Sequence, residues 1–233
     1  MKSRWFFWLL LATAIPMHAQ VSPSNIEITA EPNHHLLLEN NFVRVFKVEL
    51  APHAAMILHN HRHDYFFTSI GPSHIENDVA GKPPADRTFR DGETFFVPGD
   101  FAHTAKNLSG QTFRVVAVEI LQDQKAKLSY KWNEDRGLHI LNGGTTDILF
   151  VKDGARVTDV QLNPGGVVPR HRHAGPHLVV AVTDLDLRSD VEGKAASRVQ
   201  LKAGDVAWVK GGITHSLTNA GQQSARLITL EFP

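Results

Sequence analysis

Three histidines, His171, His173 and His177, stand at positions i, i+2 and i+6, all of one parity. Side chains of equal parity leave a β-strand on the same face, so an extended segment here would aim three imidazoles at one spot. His215, in Gly-Gly-Ile-Thr-His-Ser, could supply a fourth. Imidazole is the commonest protein ligand for Zn, Fe, Cu and Ni, so the spacing points to metal chemistry. An all-imidazole set brings no negative charge and leaves a divalent ion its full +2. Such an ion is a strong Lewis acid, with water or a chelating anionic substrate in its open positions.

Shifting the chain by 112 residues against itself exposes a second set without a gap. His59 and His61 fall on His171 and His173, and His103 falls on His215. Pro52, Gly92, Gly99 and Asn107 meet Pro164, Gly204, Gly211 and Asn219. His59, His61 and His103 are therefore the ligand candidates of the first half. Three residues compete to be its fourth. His63 shares their parity, Asp64 could be re-aimed by a bulge, and Tyr65 falls where the second half has His177. Tyr65 could instead donate to a bound substrate oxygen. The second set is the better furnished, because His177 restores a donor where Tyr65 stands. Arg44/Arg156, Arg114/Arg226 and Glu119/Glu231 recur in both halves and read as ion pairs at strand ends rather than contacts to a substrate carboxylate. Asn107 and Asn219 read as turn residues. His34, His35, His53, His74 and His139 lack matched partners and are expected to face solvent.

The elements that must position these groups are strands. Residues 42–50 (Phe-Val-Arg-Val-Phe-Lys-Val-Glu-Leu) are rich in branched and aromatic side chains with partial alternation. Short apolar runs follow at 56–58, 65–70, 94–97 and 113–121, divided by Gly, Pro, Asp and Asn. No long helix is predicted. All-β units of this size close into barrels or jelly rolls to hide their edges, so the repeat predicts two small barrels in tandem. The boundaries read as a signal peptide at 1–19, a flexible tether at 20–33, a first domain at 34–122, a linker at 123–137 and a second domain at 138–233. The signal reading rests on basic Met1-Lys-Ser-Arg4, an apolar stretch from Trp5 to Ile15 too short for a comfortable membrane span, and a cleavage-like Met17-His-Ala19. It predicts an exported protein, periplasmic or extracellular, with no membrane attachment after cleavage.

Composition narrows the partners. The 233 residues are 42% hydrophobic and 21% charged, an ordinary globular balance. Lys plus Arg and Asp plus Glu both number 24, with no basic stripe to suggest nucleic acid. Cysteine is absent, so disulfide and thiolate chemistry are excluded and any metal must be held by His, carboxylate or Tyr.

The motifs resemble the cupin superfamily, specifically a two-domain bicupin. That family's first motif runs G-x5-H-x-H-x3,4-E-x6-G and its second G-x5-P-x-G-x2-H-x3-N. Gly204…Gly212…His215…Asn219 fits the second motif with Lys210 in place of proline, and Gly92…Pro98…His103…Asn107 fits with Asp100 in place of the middle glycine. Gly165…His171-x-His173 opens the first motif, while His53 stands where the first half should have that glycine. The family's glutamate is replaced by Tyr65 and His177. The resemblance implies a divalent transition metal (Fe, Mn, Zn or Ni), a small-molecule substrate or ligand, and pairing of two copies through sheet edges into a homodimer. It favours a metal-dependent oxidoreductase in the manner of ring- or diketone-cleaving dioxygenases, with substrate and O2 held side by side. A metal-dependent isomerase, decarboxylase or lyase, and a non-enzymatic metal- or small-ligand-binding protein, are the alternatives.

Overall fold

The computed structural model describes residues 25–121, 137–152 and 154–233. The expected signal peptide and nearly all of the expected linker lie outside the described residues. The first half contains β1 (Ile26–Glu27), β2 (His34–Glu39), β3 (Val43–Leu50), β4 (His59–His61), β5 (Tyr65–Ser69), β6 (Ser73–Val79), β7 (Ala85–Phe89), β8 (Thr94–Val97), β9 (Phe101–Asn107) and β10 (Phe113–Ile120). They form two five-stranded sheets, β1-β4-β9-β6-β7 and β2-β3-β10-β5-β8, packed as a jelly roll. The second half contains β11 (Gly137–Lys152), β12 (Ala155–His173), β13 (His177–Ala181), β14 (Leu185–Val191), β15 (Ser197–Leu201), β16 (Val206–Val209), β17 (Ile213–Asn219) and β18 (Ala225–Glu231). Here the 19-residue β12 runs through both layers. Its first part pairs with β18 and its end, from Val167, pairs with β17, with an irregularity between Val168 and His171. The fold is all-β, two tandem barrels, as the repeat predicts.

The partial alternation seen in the sequence has a structural cause. Along β3, Val43 and Val45 face the other half while Phe46, Val48 and Leu50 face their own barrel. In β10, Val116, Val118 and Ile120 face outward to the second half, and Phe113, Val115 and Ala117 face inward. The second half mirrors this, with Leu178, Val180, Ile228 and Leu230 in the shared core and Ala181, Ala225 and Leu227 in the barrel. A sheet buried on both faces reads as a near-continuous apolar run. The two halves thus share a third core between them, crossed at its border by Arg226, which donates to the Asp91 carbonyl at 2.7 Å.

The segment expected as a flexible tether differs in its described part. Ile26 and Glu27 pair in parallel with His59 and Asn60, Ile28 is buried, and Glu31 is 1% exposed. Arg62 clamps the segment through two bonds to Glu27, at 2.8 and 2.6 Å. Its polarity reflects ion pairing at a sheet edge, not solvation.

Two departures from the family glycines keep the glycine backbone. Asp100 has φ 59 and His53 φ 60, against φ 76 for their second-half counterparts Gly212 and Gly165. The turn, not the side chain, is what the position requires.

Candidate metal centres

Antiparallel pairing brings the motifs together. His59 lies opposite His103 across β4–β9, and His171 lies opposite His215 across β12–β17. His61 and His173 sit two residues along on the same face. In the first half the His61 and His103 Nε2 atoms are 3.1 Å apart, and in the second the His171 and His173 Nε2 atoms are 2.9 Å apart. Two nitrogens each about 2.1 Å from one ion, at 90–109°, stand about 3.0–3.4 Å apart.

The outer nitrogens fix the tautomers. His59 Nδ1 is 2.8 Å from the Ile57 carbonyl and His171 Nδ1 is 2.8 Å from the Pro169 carbonyl, equivalent positions in the repeat. A carbonyl only accepts, so each Nδ1 carries the proton and each Nε2 turns a lone pair inward. His103 Nδ1 meets Asn77 Oδ1 at 2.6 Å, and His215 Nδ1 meets Ser189 Oγ at 3.1 Å, again equivalent positions. His59 Nε2 and His215 Nε2 are buried with no protein partner. Orphaned buried acceptors that converge in this way are what an imidazole metal site leaves behind without its ion. Both sets fit a divalent transition metal.

Burial keeps the rings neutral and ready to ligate. It pushes His61 down to about 2 and His103 to about 3, with neighbouring imidazoles adding to the effect. Burial likewise lowers His59 and His171, and takes His215 to about 4 and His177 to about 3.

Among the described residues, the sets whose ligand atoms all lie within 4.8 Å of one another are His171, His173 and His215, and His34, His59 and His61. His103 adjoins the first-half set through His61 Nε2. His177 stands outside the second-half set. Its ring stacks on His173 with centroids 4.0 Å apart and lies 6.4 Å from His215. Tyr65 does the same in the first half, stacked on His61 at 4.5 Å, with burial first and Glu119 second raising its phenol above the ordinary range. His63 and Asp64 belong to neither set. Strand β4 ends at His61, so the parity that would carry His63 inward is lost. Asp64 instead accepts from Gly99 N at 2.7 Å. That loop is held close: a Cβ on Gly99 would lie 2.6 Å from the His63 carbonyl, and one on Gly211 2.6 Å from that of Ala174.

His34, expected to face solvent, has a side chain only 4% exposed, and its ring lies 4.8 Å from that of His59. His35, His53 and His139 are exposed. The Arg–Glu pairs form as expected, Arg44 to Glu119 at 3.3 Å and Arg156 to Glu231, whereas Arg226 pairs with Asp159. Glu231 has a further contact that the sequence did not signal. Its Oε1 lies 3.1 Å from His173 Nδ1, close enough to orient the ring although the N–H is not aligned on it. Burial alone would raise the Glu231 carboxyl, but His173 and Arg156 hold it low. Asn107 and Asn219 hold their turns, read as such from the sequence, by donating to the Gln111 and Gln223 carbonyls, and tie them to the Leu50 and Leu162 carbonyls on β3 and β12.

The first centre opens on a cavity of about 710 Å³ inside its barrel. His34, His61 and His103 are in its wall, Phe67, Phe89, Phe95, Phe101 and Phe113 line it, and Lys82 and Arg87 stand at its exposed margin. The buried core of the second barrel is aliphatic, with Val160, Leu162, Leu185, Leu187 and Leu227.

Residues 158–231 match the family model described as Cupin domain. The matched stretch runs from β12 to β18, within the second barrel. Among curated proteins, none matches. Among solved structures, oxalate decarboxylase from Bacillus subtilis, described with Mn(II) centres, is 14% identical with a TM-score of 0.60, over 92% of this chain and 78% of its own. Vicilin from Solanum melongena is 13% identical with a TM-score of 0.61, over 82% of this chain and 74% of its own. AerE from Microcystis aeruginosa is 12% identical with a TM-score of 0.59, over 87% and 98%. At these identities the likeness is one of fold.

Proposed function

We propose that this chain is an exported, metal-dependent oxidoreductase of the dioxygenase type, acting on a small, largely apolar organic molecule inside the first barrel. The observation that carries the reading is the aromatic cavity with three imidazoles in its wall. Its volume is that of a small-molecule site, about 300–1,000 Å³. The phenylalanine wall selects a flat apolar body and excludes water. Lys82 and Arg87 at the margin favour an anionic group on it. His61 and His103, kept neutral by burial, present lone pairs rather than protons. Tyr65, kept protonated by burial, is a donor for a substrate oxygen. A bound divalent ion would supply Lewis acidity and adjacent open positions for substrate and O2. The second barrel, with its own imidazole set, reads as a metal-binding partner that stabilises the chain. The basic and apolar run at 1–19 supports export.

A metal-dependent decarboxylase or lyase is the second reading, favoured by the cationic margin and by the fold shared with oxalate decarboxylase. The metal-loaded chain, offered a panel of aromatic and aliphatic carboxylates, separates the two. Substrate-dependent O2 uptake lost in His103→Ala supports the oxidoreductase. CO2 release without O2 uptake supports the alternative, and neither, with ligand binding retained, leaves a binding protein.

A further inference from the structure

The 112-residue repeat pairs His59, His61 and His103 with His171, His173 and His215, but it has no counterpart for His34. The equivalent position is Thr146, and that of Glu31 is Gly143. His34 nevertheless places a ligand nitrogen within 4.8 Å of those of His59 and His61. We propose that His34, held by Glu31, is a ligand of the first metal centre, completing a four-imidazole set with His59, His61 and His103. It would take up the place left by the family's missing glutamate, which Tyr65 does not fill. The inference rests on the metal-centre reading above and adds a residue to it.

The dyad is built, not incidental. Glu31 accepts from the Asn33 backbone N–H at 2.8 Å, from Asn33 Nδ2 at 2.8 Å and from Ile57 N at 3.4 Å, and contacts His34 Nδ1 at 2.7 Å. A carboxylate this buried costs several kcal/mol unless its oxygens are satisfied, and here they are. An ionised carboxylate only accepts, so His34 Nδ1 carries the proton and Nε2 is free to ligate. Carboxylate–imidazole pairs of this kind fix ring orientation and raise ligand basicity. The Ile57 peptide ties the two arms together, its N–H on Glu31 and its carbonyl on His59 Nδ1. Pairing of Ile26 with His59 and the Arg62–Glu27 clamp anchor the segment on the ligand strand. In the second barrel the carboxylate–imidazole contact is Glu231–His173. In the first, Glu119 Oε1 and His61 Nδ1 are both left unpartnered, and Glu31–His34 supplies the contact from a different strand.

Tyr65 stacks its ring on His61 and is held protonated by its surroundings, so it is poorly disposed to be the fourth donor. Four neutral imidazoles suit Zn, Ni, Cu or Fe better than Mn.

The test is Zn2+ titration calorimetry on the full chain carrying His215→Ala, so that the first centre is read alone. His34→Gln is expected to weaken Zn2+ binding by about 100-fold or more, and Glu31→Gln by about 10–100-fold. If both bind as the parent while His103→Ala does not bind, the His34 proposal falls and the metal-centre reading stands. If the parent itself binds no Zn2+, the metal-centre reading falls with it. Should a variant fail to fold, the unaltered chain gives the answer by long-range 15N correlation NMR. The His34 Nε2 resonance shifts on Zn2+ addition together with those of His59, His61 and His103. A shift confined to the latter three overturns the proposal.

Discussion

At residue scale the centre depends on imidazoles that burial keeps neutral. In the folded chain His215 ionises only near 4, His103 near 3 and His61 near 2, against an ordinary 6.5. As pH falls, the unfolded chain takes up these protons first. Their contribution to stability is complete above about 6.5 and is lost progressively toward the folded values. Glu31, held near 2 against an ordinary 4.5 because its bonds to His34 and Asn33 outweigh burial, adds a further loss below about 4.5. The urea midpoint of the metal-free chain is therefore expected to fall between pH 7 and pH 5, and His103→Gln to flatten that slope. A level profile would contradict the burial argument. Backbone strain gives a second expectation. A left-handed non-glycine residue costs about 1–2 kcal/mol, and glycine about 0.5–1 kcal/mol in chain entropy. Asp100→Gly should thus be neutral to stabilising by up to about 1 kcal/mol in urea denaturation, and Asp100→Val clearly destabilising.

At element scale, what positions the ligands is the close approach of loops to strands. An added Cβ on Gly175 would lie 1.8 Å from the Phe232 carbonyl, so the turn carrying the chain from His173 to His177 has room for glycine alone. Gly175→Ala is expected to cost about 3 kcal/mol or more, read as a drop in melting temperature. This scale also marks where sequence reading failed. Parity predicts ligands correctly within a strand, as for His59 with His61, but the bend at 62–64 ends the rule before His63 and Asp64. Tyr65 and His177 do return to the cluster, because β5 and β13 start there, yet they return as stacked rings. His34 and Glu31 were illegible for another reason. They are tied to the centre by tertiary pairing of β1 with β4, with no repeat to flag them and a polar setting that resembles a tether.

At the scale of the whole molecule, the duplication was legible because identical spacing of His, Gly and Asn at one offset survives where most other residues have changed. The all-β class followed from short branched and aromatic runs. What the repeat concealed was asymmetry: matched ligands, but phenylalanines around the first cavity and aliphatic side chains in the core of the second barrel. It concealed as well the core between the halves. Phe66, fully buried there, shares that core with Val180 and Ile228 of the other half and stacks its ring on Phe150. Phe66→Ala is expected to cost about 3–5 kcal/mol and to lower a single calorimetric transition spanning both barrels. Two independent transitions, one of them unaffected, would show that the halves do not stabilise each other.

The central claim is that each barrel holds its own divalent metal through its own histidines. The most direct test is metal stoichiometry after Zn2+ loading and dialysis, measured by elemental analysis on the folded chain and its variants. Two equivalents are expected in the unaltered chain, one in His103→Ala, one in His215→Ala and none in the double variant. An unchanged stoichiometry in all four proteins would contradict the account.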